Sequence, residues 1–201
     1  MISSPEKLHD FWRQPAPAGN APESFIDLVG RSQALAKLMA DLPPSARILE
    51  VGCNVGRNLA HLRDIGYTRL EGIEISPHAV EMLRSTYPQL ADVPVHVGAA
   101  EEVLPGLETE SFDLVFTMAL ILAIHPDNAA AFDHMARVAR SILAIEPAGF
   151  SSRNYYPHDV PAMFTSRGFT LTESVDMTEF PEVDVQLKGF FAHRFARAAD
   201  L

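Results

Sequence analysis

The sequence predicts a Rossmann-like α/β fold, a doubly wound, seven-stranded and mostly parallel sheet with one antiparallel strand. Three observations carry this. From residue 46 onward, strand-length apolar runs alternate with helix-length amphipathic stretches five times, as parallel strands joined by helical crossovers require. The first unit, Arg47 to Leu62, "RILEVGCNVGRNLAHL", passes from an apolar strand through a glycine-bearing loop directly into a helix, as nucleotide-binding turns do. Two final alternating runs follow with no helix between them, which permits antiparallel pairing.

Residues 1–22 hold four prolines and a glycine around Phe11 and Trp12, and read as an irregular arm with an aromatic anchor. Residues 24–41 put Phe25, Leu28, Leu35, Leu38 and Met39 at helical spacing, and Pro43 and Pro44 stop that helix. "RILEV" is the first strand, Gly56 to Ile65 a helix closed by Gly66, and "RLEGIEI" the second strand. Ser76 and Pro77 supply an N-cap and a first-turn proline for a helix through Tyr87. "VPVHV" is the third strand; "SFDLVFTM" is the fourth, apolar enough to be covered on both faces. Asp127 caps a helix to about Arg140, "SILAIE" is the fifth strand, and a helix from Asp159 ends at Gly168. "FTLTESVDM" and "GFFAHRFAR" complete the sheet, joined through the loop containing Pro181.

Composition narrows the partners. With 201 residues, 47% of them hydrophobic and 21% charged, the chain buries a continuous core. A formal charge of −10 repels nucleic acid and anionic lipid, and no apolar window reaches the length of a membrane span. The start lacks a secretory pattern, so a cytoplasmic location is expected. Cys53 is the single cysteine, which rules out an internal disulfide and a cysteine-based metal site, and reads as a small packing group in a tight loop. No metal is expected.

In a doubly wound sheet the ligand lies beyond the carboxyl ends of the strands, beside the first. The dinucleotide fingerprint needs glycine at 52, 54 and 57, where the chain has Gly52, Asn54 and Arg57. The spacing acid, x, Gly, x, Gly, x, Gly fits better through Glu50, Gly52, Asn54 and Gly56, since asparagine tolerates a left-handed backbone. In these residues, and in Glu74 of "GIEIS" at the end of the second strand, the chain resembles the class I S-adenosylmethionine (SAM)-dependent methyltransferases over about residues 46–197. "GCNVGRNL", "GIEI" with "AVEML", and "LILAIHPD" are also similar to methylases associated with pseudaminic acid biosynthesis.

The resemblance implies a glycine loop against the methionine part of SAM and an acidic residue that accepts from both ribose hydroxyls, here Glu74. A carboxylate has the acceptor oxygens for a vicinal diol. It implies cofactor contacts from Glu50, Gly52, Cys53, Asn54, Gly56, Asn58, Ile75 and Thr117, and from the loop "VGAAEEV" beside the adenine. Ala99 replaces an aspartate common in relatives, leaving the Ala100 amide and Glu101 to meet the base. Trp12 and Arg31 would close over the cofactor as a lid formed by residues 1–42, on a SAM-binding domain of residues 43–201. Ala123 occupies the place of a histidine frequent in relatives, so His125 becomes the candidate base. The loop "SSRNYYPHD" offers Tyr155, Tyr156 and His158 as further catalytic candidates, with Arg153 and Asn154 to orient a polar substrate.

The expected activity is methyl transfer from SAM, leaving S-adenosylhomocysteine (SAH), to an O or N of a small metabolite, sugars and sugar acids among them. The acceptor is the expected partner, and the assembly a monomer or homodimer. The rival reading is a non-catalytic SAM- or SAH-binding module or partner subunit.

Overall fold

The computed structural model describes residues 4–14 and 21–197. Part of the proline-rich arm expected over 1–22, residues 1–3 and 15–20, lies outside the described residues, as do residues 198–201. The rest of that arm is helical. Helix α1 spans Pro5–Arg13, capped by the Ser4 hydroxyl, which accepts from the Lys7 amide, with Pro5 at the first position, Glu6 in the first turn and Arg13 in the last. These are ordinary helix-start and helix-end signals that the surrounding prolines mask.

A 3₁₀ turn at Pro22–Phe25 precedes α2, Val29–Leu38, which is shorter than the helix expected over 24–41. Then follow β1 (Arg47–Val51), α3 (Arg57–Asp64), β2 (Arg69–Glu74), α4 (Pro77–Thr86), β3 (Val95–Val97), α5 (Ala100–Val103), β4 (Phe112–Met118), α6 (Ala130–Val138), β5 (Ala139–Pro147), α7 (Val160–Thr165), β6 (Phe169–Asp176) and β7 (Phe190–Arg197). Ser76 and Asp159 cap α4 and α7 as their spacing predicts. Asp127 does not cap α6. A 3₁₀ turn at Pro126–Asn128 intervenes, and it is His125 whose ring accepts from the Asp127 amide.

The strand order is β3-β2-β1-β4-β5-β7-β6. Strand β1 pairs in parallel with β2 and β4, while β7 runs antiparallel to both β5 and β6. The reversed strand is therefore β7. Its connection from β6 folds through 3₁₀ turns at Met177–Glu179 and Val185–Leu187 and lies over α2. A Cβ at Gly30 would stand 1.8 Å from the Glu182 carbonyl oxygen, so no side chain fits there.

Alternating residues of the central strands feed two cores. Ile48, Leu114 and Phe116 pack on α2 and α3 with Leu35, Met39 and Leu59; Leu49, Val51 and Val115 pack on α6 and α7 with Phe132, Met135 and Phe164. Because α2 supplies Ala34 and Leu35 to the first core, residues 29–38 are part of the same body as the sheet rather than a lid upon it.

Candidate functional site

The chain winds from β1 toward β3 on one side and from β4 toward β6 on the other, and a cavity of about 320 Å³ opens at the carboxyl ends of β1 and β4, where the winding reverses. That volume is at the lower end for small-molecule sites. The loop from Gly52 to Val55 forms its floor. The Gly52 and Cys53 amides donate to the Ile73 carbonyl at 2.8 and 3.0 Å, which ties the loop to β2. Gly52 and Gly56 have φ of +80° and +77°, and Asn54 has φ of +49°, so asparagine holds the left-handed position expected of it. A Cβ at Gly52 would meet Leu120 Cδ1 at 2.8 Å, and one at Gly56 would meet Leu83 at 2.5 Å. A larger residue at 56 therefore collides with α4 before it reaches a ligand. Cys53 fits beneath the bare face of Gly72, where a Cβ would stand 2.8 Å from its sulfur, and burial raises its thiol well above the usual range.

Glu74 ends β2 at the cavity wall. Its Oε2 accepts from the Asn54 amide and its Oε1 from the Ser76 amide, both at 2.8 Å, and burial raises its pKa. The Ile75 amide also bonds this carboxylate, and of its four lone-pair sites three amides leave one for a ligand. Glu50 is 2% exposed; Oε1 accepts from Asn58 Nδ2 at 2.7 Å, whereas Oε2 is buried with no hydrogen-bond partner among the described residues. Burial pushes this acid up to about 8, against the pull of Asn58 and Arg57. Asn58 Oδ1 in turn accepts from the Ser32 hydroxyl at 2.7 Å and from Arg57 at 3.0 Å. Arg57 also donates to Ser32 Oγ and to the Phe25 carbonyl, each at 3.0 Å, and burial lowers its pKa to about 10. Arg31 lines the same cavity, with Nε and Nη2 committed to Asp184 at 2.6 and 2.9 Å.

At the far end, Ala99, Ala100 and Glu101 line the cavity beside Ile75. Glu101 Oε1 takes His9 Nε2 at 2.5 Å and the Asn128 side-chain amide, so the carboxylate expected to face the base is already paired. Arg13 bonds Glu102 at 3.2 Å, and together these pairs fasten α1 to α5. Trp12 packs edge-on against Phe11, with ring centroids 4.9 Å apart, and against Tyr155 at 5.6 Å, while its indole Nε1 is buried with no partner among the described residues.

The segment after β4 forms the opposite wall. Ala119 has φ of +59°, and Leu120, Ala123, Ile124 and His125 face the cavity. His125 Nδ1 accepts from the Asp127 amide at 3.2 Å and lies 3.5 Å from that residue's carboxylate. With Nδ1 accepting the amide, a neutral ring carries its proton on Nε2 and offers a donor there rather than a base. The loop 151–159 contributes Tyr155 to the lining. Tyr156 is buried against His125, with ring centroids 5.0 Å apart, and its amide donates to the Leu122 carbonyl at 2.8 Å. His158 Nε2 donates to the Ile124 carbonyl at 3.1 Å, and burial lowers its pKa. Both brace the wall from behind.

Residues 48–141 match the family model described as a methyltransferase domain. An O-methyltransferase of Pyrenophora dematioidea is 29% identical over 132 residues, 65% of this chain and 48% of that protein, so the chain spans about half the length of this curated relative. Among solved structures, magnesium protoporphyrin IX methyltransferase from Synechocystis PCC 6803 with bound SAM superposes with a TM-score of 0.69 at 15% identity, covering 98% of this chain and 99% of that one. The matched segment of this chain is thus similar to a methyltransferase domain, and the solved structure shares its fold. The [4+2]-cyclase SpnF shares the fold equally well, with a TM-score of 0.69 at 12% identity and coverage of 92% and 85%.

The structure gathers Glu50, Gly52, Cys53, Asn54, Asn58, Glu74, Ile75, Ala100, Glu101, Arg31, Trp12, His125 and Tyr155 around one cavity. Gly56, Thr117, Tyr156, His158, Arg153 and Asn154 are not among the lining residues. Thr117 is 1% exposed and turns toward Glu146; Arg153 is exposed on the loop. Sequence reading missed Arg57, Met118, Gln186, Leu187 and Phe190. Arg57 carries a signal, a cation immediately after the last loop glycine, although in the dinucleotide pattern it is only a misfit. Met118 directly follows Thr117 at the end of β4, whereas Gln186, Leu187 and Phe190 come from a distant segment and carry none. Among the described residues no group of three or more His, Cys, Asp or Glu is placed to hold a metal ion, and no helix is long and apolar enough to cross a membrane.

Proposed function

We propose that the cavity binds SAM and that the chain moves its methyl group to an oxygen or nitrogen of a small metabolite, sugars and sugar acids among the candidates. The observation that carries this reading is the unpartnered Oε2 of Glu50, an acceptor buried at the floor of a glycine loop with a second carboxylate, Glu74, across from it. A buried acceptor without a donor is costly, and an ammonium group supplies what it lacks. Glu50 would hold the amino group of the methionine tail, Glu74 a ribose hydroxyl, and Ala99 with the Ala100 amide would flank the adenine. Arg57 and the remaining Nη1 of Arg31 offer positive charge for the tail carboxylate.

When bound, SAM supplies an electrophilic methyl on a sulfonium centre. The residues of the chain then serve chiefly to orient the acceptor and exclude water. Trp12, Phe11, Tyr155 and the 119–125 turn wall off the side opposite the glycine loop. His125 donates a hydrogen bond to the acceptor rather than taking its proton, so a nucleophile that arrives unprotonated suits this site. The small cavity favours a small acceptor. We place the chain in the cytoplasm, as a monomer or homodimer, on the support of a single buried cysteine and strong net negative charge.

A second reading, a module that binds SAM or SAH without transferring methyl, is favoured by the missing histidine at Ala123 and by a neighbour of the same fold named as a cyclase. Incubation with methyl-labelled SAM and a metabolite extract separates the two. Transfer of label to a small molecule supports the enzyme; SAM uptake with no labelled product supports the module.

A further inference from the structure

Glu146 is a second fully buried carboxyl group, and the site described above makes no use of it. It ends β5, is 2% exposed, and does not line the cavity. Its Oε1 accepts from two consecutive amides, Leu120 and Ile121, both at 3.0 Å, and the Thr117 hydroxyl stands beside it. Those amides belong to the turn that follows Ala119, whose φ of +59° is a left-handed conformation uncommon for alanine. Such a residue persists only where its surroundings over-determine it. Two restraints do so here: the Ala119 amide donates to the Ile145 carbonyl at 2.9 Å, and one residue further along β5 the carboxylate grips the next two amides.

The turn carries function-bearing side chains. Leu120, Ala123, Ile124 and His125 form the β4 wall of the cavity, and Leu120 is the atom group that a Cβ at Gly52 would strike. The position of this wall relative to the glycine loop is therefore set by where the turn leaves β4. We infer that Glu146 is a positioning residue: it clamps the turn after β4 in its left-handed form and so fixes the wall that faces the ligand. The consequence for SAH binding rests on the reading proposed above; the effect on the turn does not.

The test uses the full chain with Glu146→Ala, Glu146→Gln and the double variant Ala119→Gly/Glu146→Ala, each followed by amide hydrogen exchange without ligand and by SAH titration. Glu146→Ala is expected to speed exchange of the Leu120 and Ile121 amides and to weaken SAH binding by about tenfold, the scale of one lost hydrogen bond to a charged group. Glu146→Gln keeps an acceptor oxygen and restores both. Glycine at 119 needs no clamp, so the double variant recovers SAH affinity even though the carboxyl is gone, which a general loss of stability would not allow. Unchanged exchange in Glu146→Ala overturns the inference, as does a double variant no better than the single one. Should Glu146→Ala not fold, Ala119→Gly/Glu146→Ala decides: a folded double variant that binds SAH as the wild type does supports the clamp, and one that also fails to fold or to bind overturns it. Absence of SAH binding by the wild-type chain would defeat the cofactor reading while the exchange arm still tests the clamp.

Discussion

The two walls of the cavity are built by different means. The wall formed by β1, its loop and β2 comes from a contiguous stretch, residues 50–76, and is held by backbone geometry: two glycines and an asparagine at positive φ, and one carboxylate that gathers the Asn54 and Ser76 amides. The opposite wall draws side chains from α1, the turn after β4, the 151–159 loop and the β6–β7 connection. The first is nearly specified by which residue types tolerate which dihedrals. The second depends on three-dimensional assembly, and there a single Tyr or His faces the cavity or braces it from behind according to the packing of neighbours.

This contrast predicts that changes in the first wall abolish ligand binding, while many in the second leave it alone. Gly52→Val should have the largest effect, a loss of SAH affinity beyond about 100-fold by calorimetry, since it adds left-handed strain of about 1–3 kcal/mol to a collision with Leu120. Glu74→Ala comes next, at about 1.5–3 kcal/mol of binding free energy, the range for hydrogen bonds to a charged group. Gly56→Val sharpens the comparison, because its Cβ meets Leu83 and Leu90 rather than the cavity. It should lower thermal stability by about 1–3 kcal/mol and weaken binding only through that loss, as a melting curve run with and without SAH would reveal.

A smaller effect follows from pH. Glu50 titrates at about 8 in the folded chain against about 4.3 unfolded, so its protonated form is favoured by folding. That contribution is complete below the unfolded value and is lost as pH rises through 8. Binding of an ammonium group runs the other way, since it requires the ionised acid. SAH affinity should climb between pH 6 and 8 as the unliganded protein no longer has a proton to release, and Glu50→Gln should flatten that part of the climb. Smallest of all, Arg153→Ala should leave SAH affinity within about twofold, because exposed side chains away from a site contribute little. A large loss there would mean that the 151–159 loop reaches further into the site than its placement indicates.

Much of the fold is legible in the sequence for a physical reason. Strands β1, β4 and β5 are largely buried and read as mostly apolar runs, and Ser76 and Asp159 announce their helices by capping chemistry. Helix α1 was hidden because proline is both a helix opener and a breaker, and only Ser4 together with Glu6 distinguishes the two. The β6–β7 connection looked like a simple link, yet Glu182, Asp184 and Gln186 reach Lys37 and Arg31, contacts more than 140 residues apart that no local pattern encodes. His125 shows the same limit at the scale of one ring: its type suggests a base, and only the fold shows that the Asp127 amide engages its Nδ1.

Calorimetric titration of SAH into the wild-type chain and into Glu74→Ala asks whether the Gly52–Val55 floor and the carboxylate ending β2 hold a nucleoside bearing an amino acid tail. One site per chain is expected, with affinity reduced roughly 10- to 150-fold by the substitution in a variant that melts as a folded protein. Equal affinity in the two proteins, or no heat of binding in either, would contradict it.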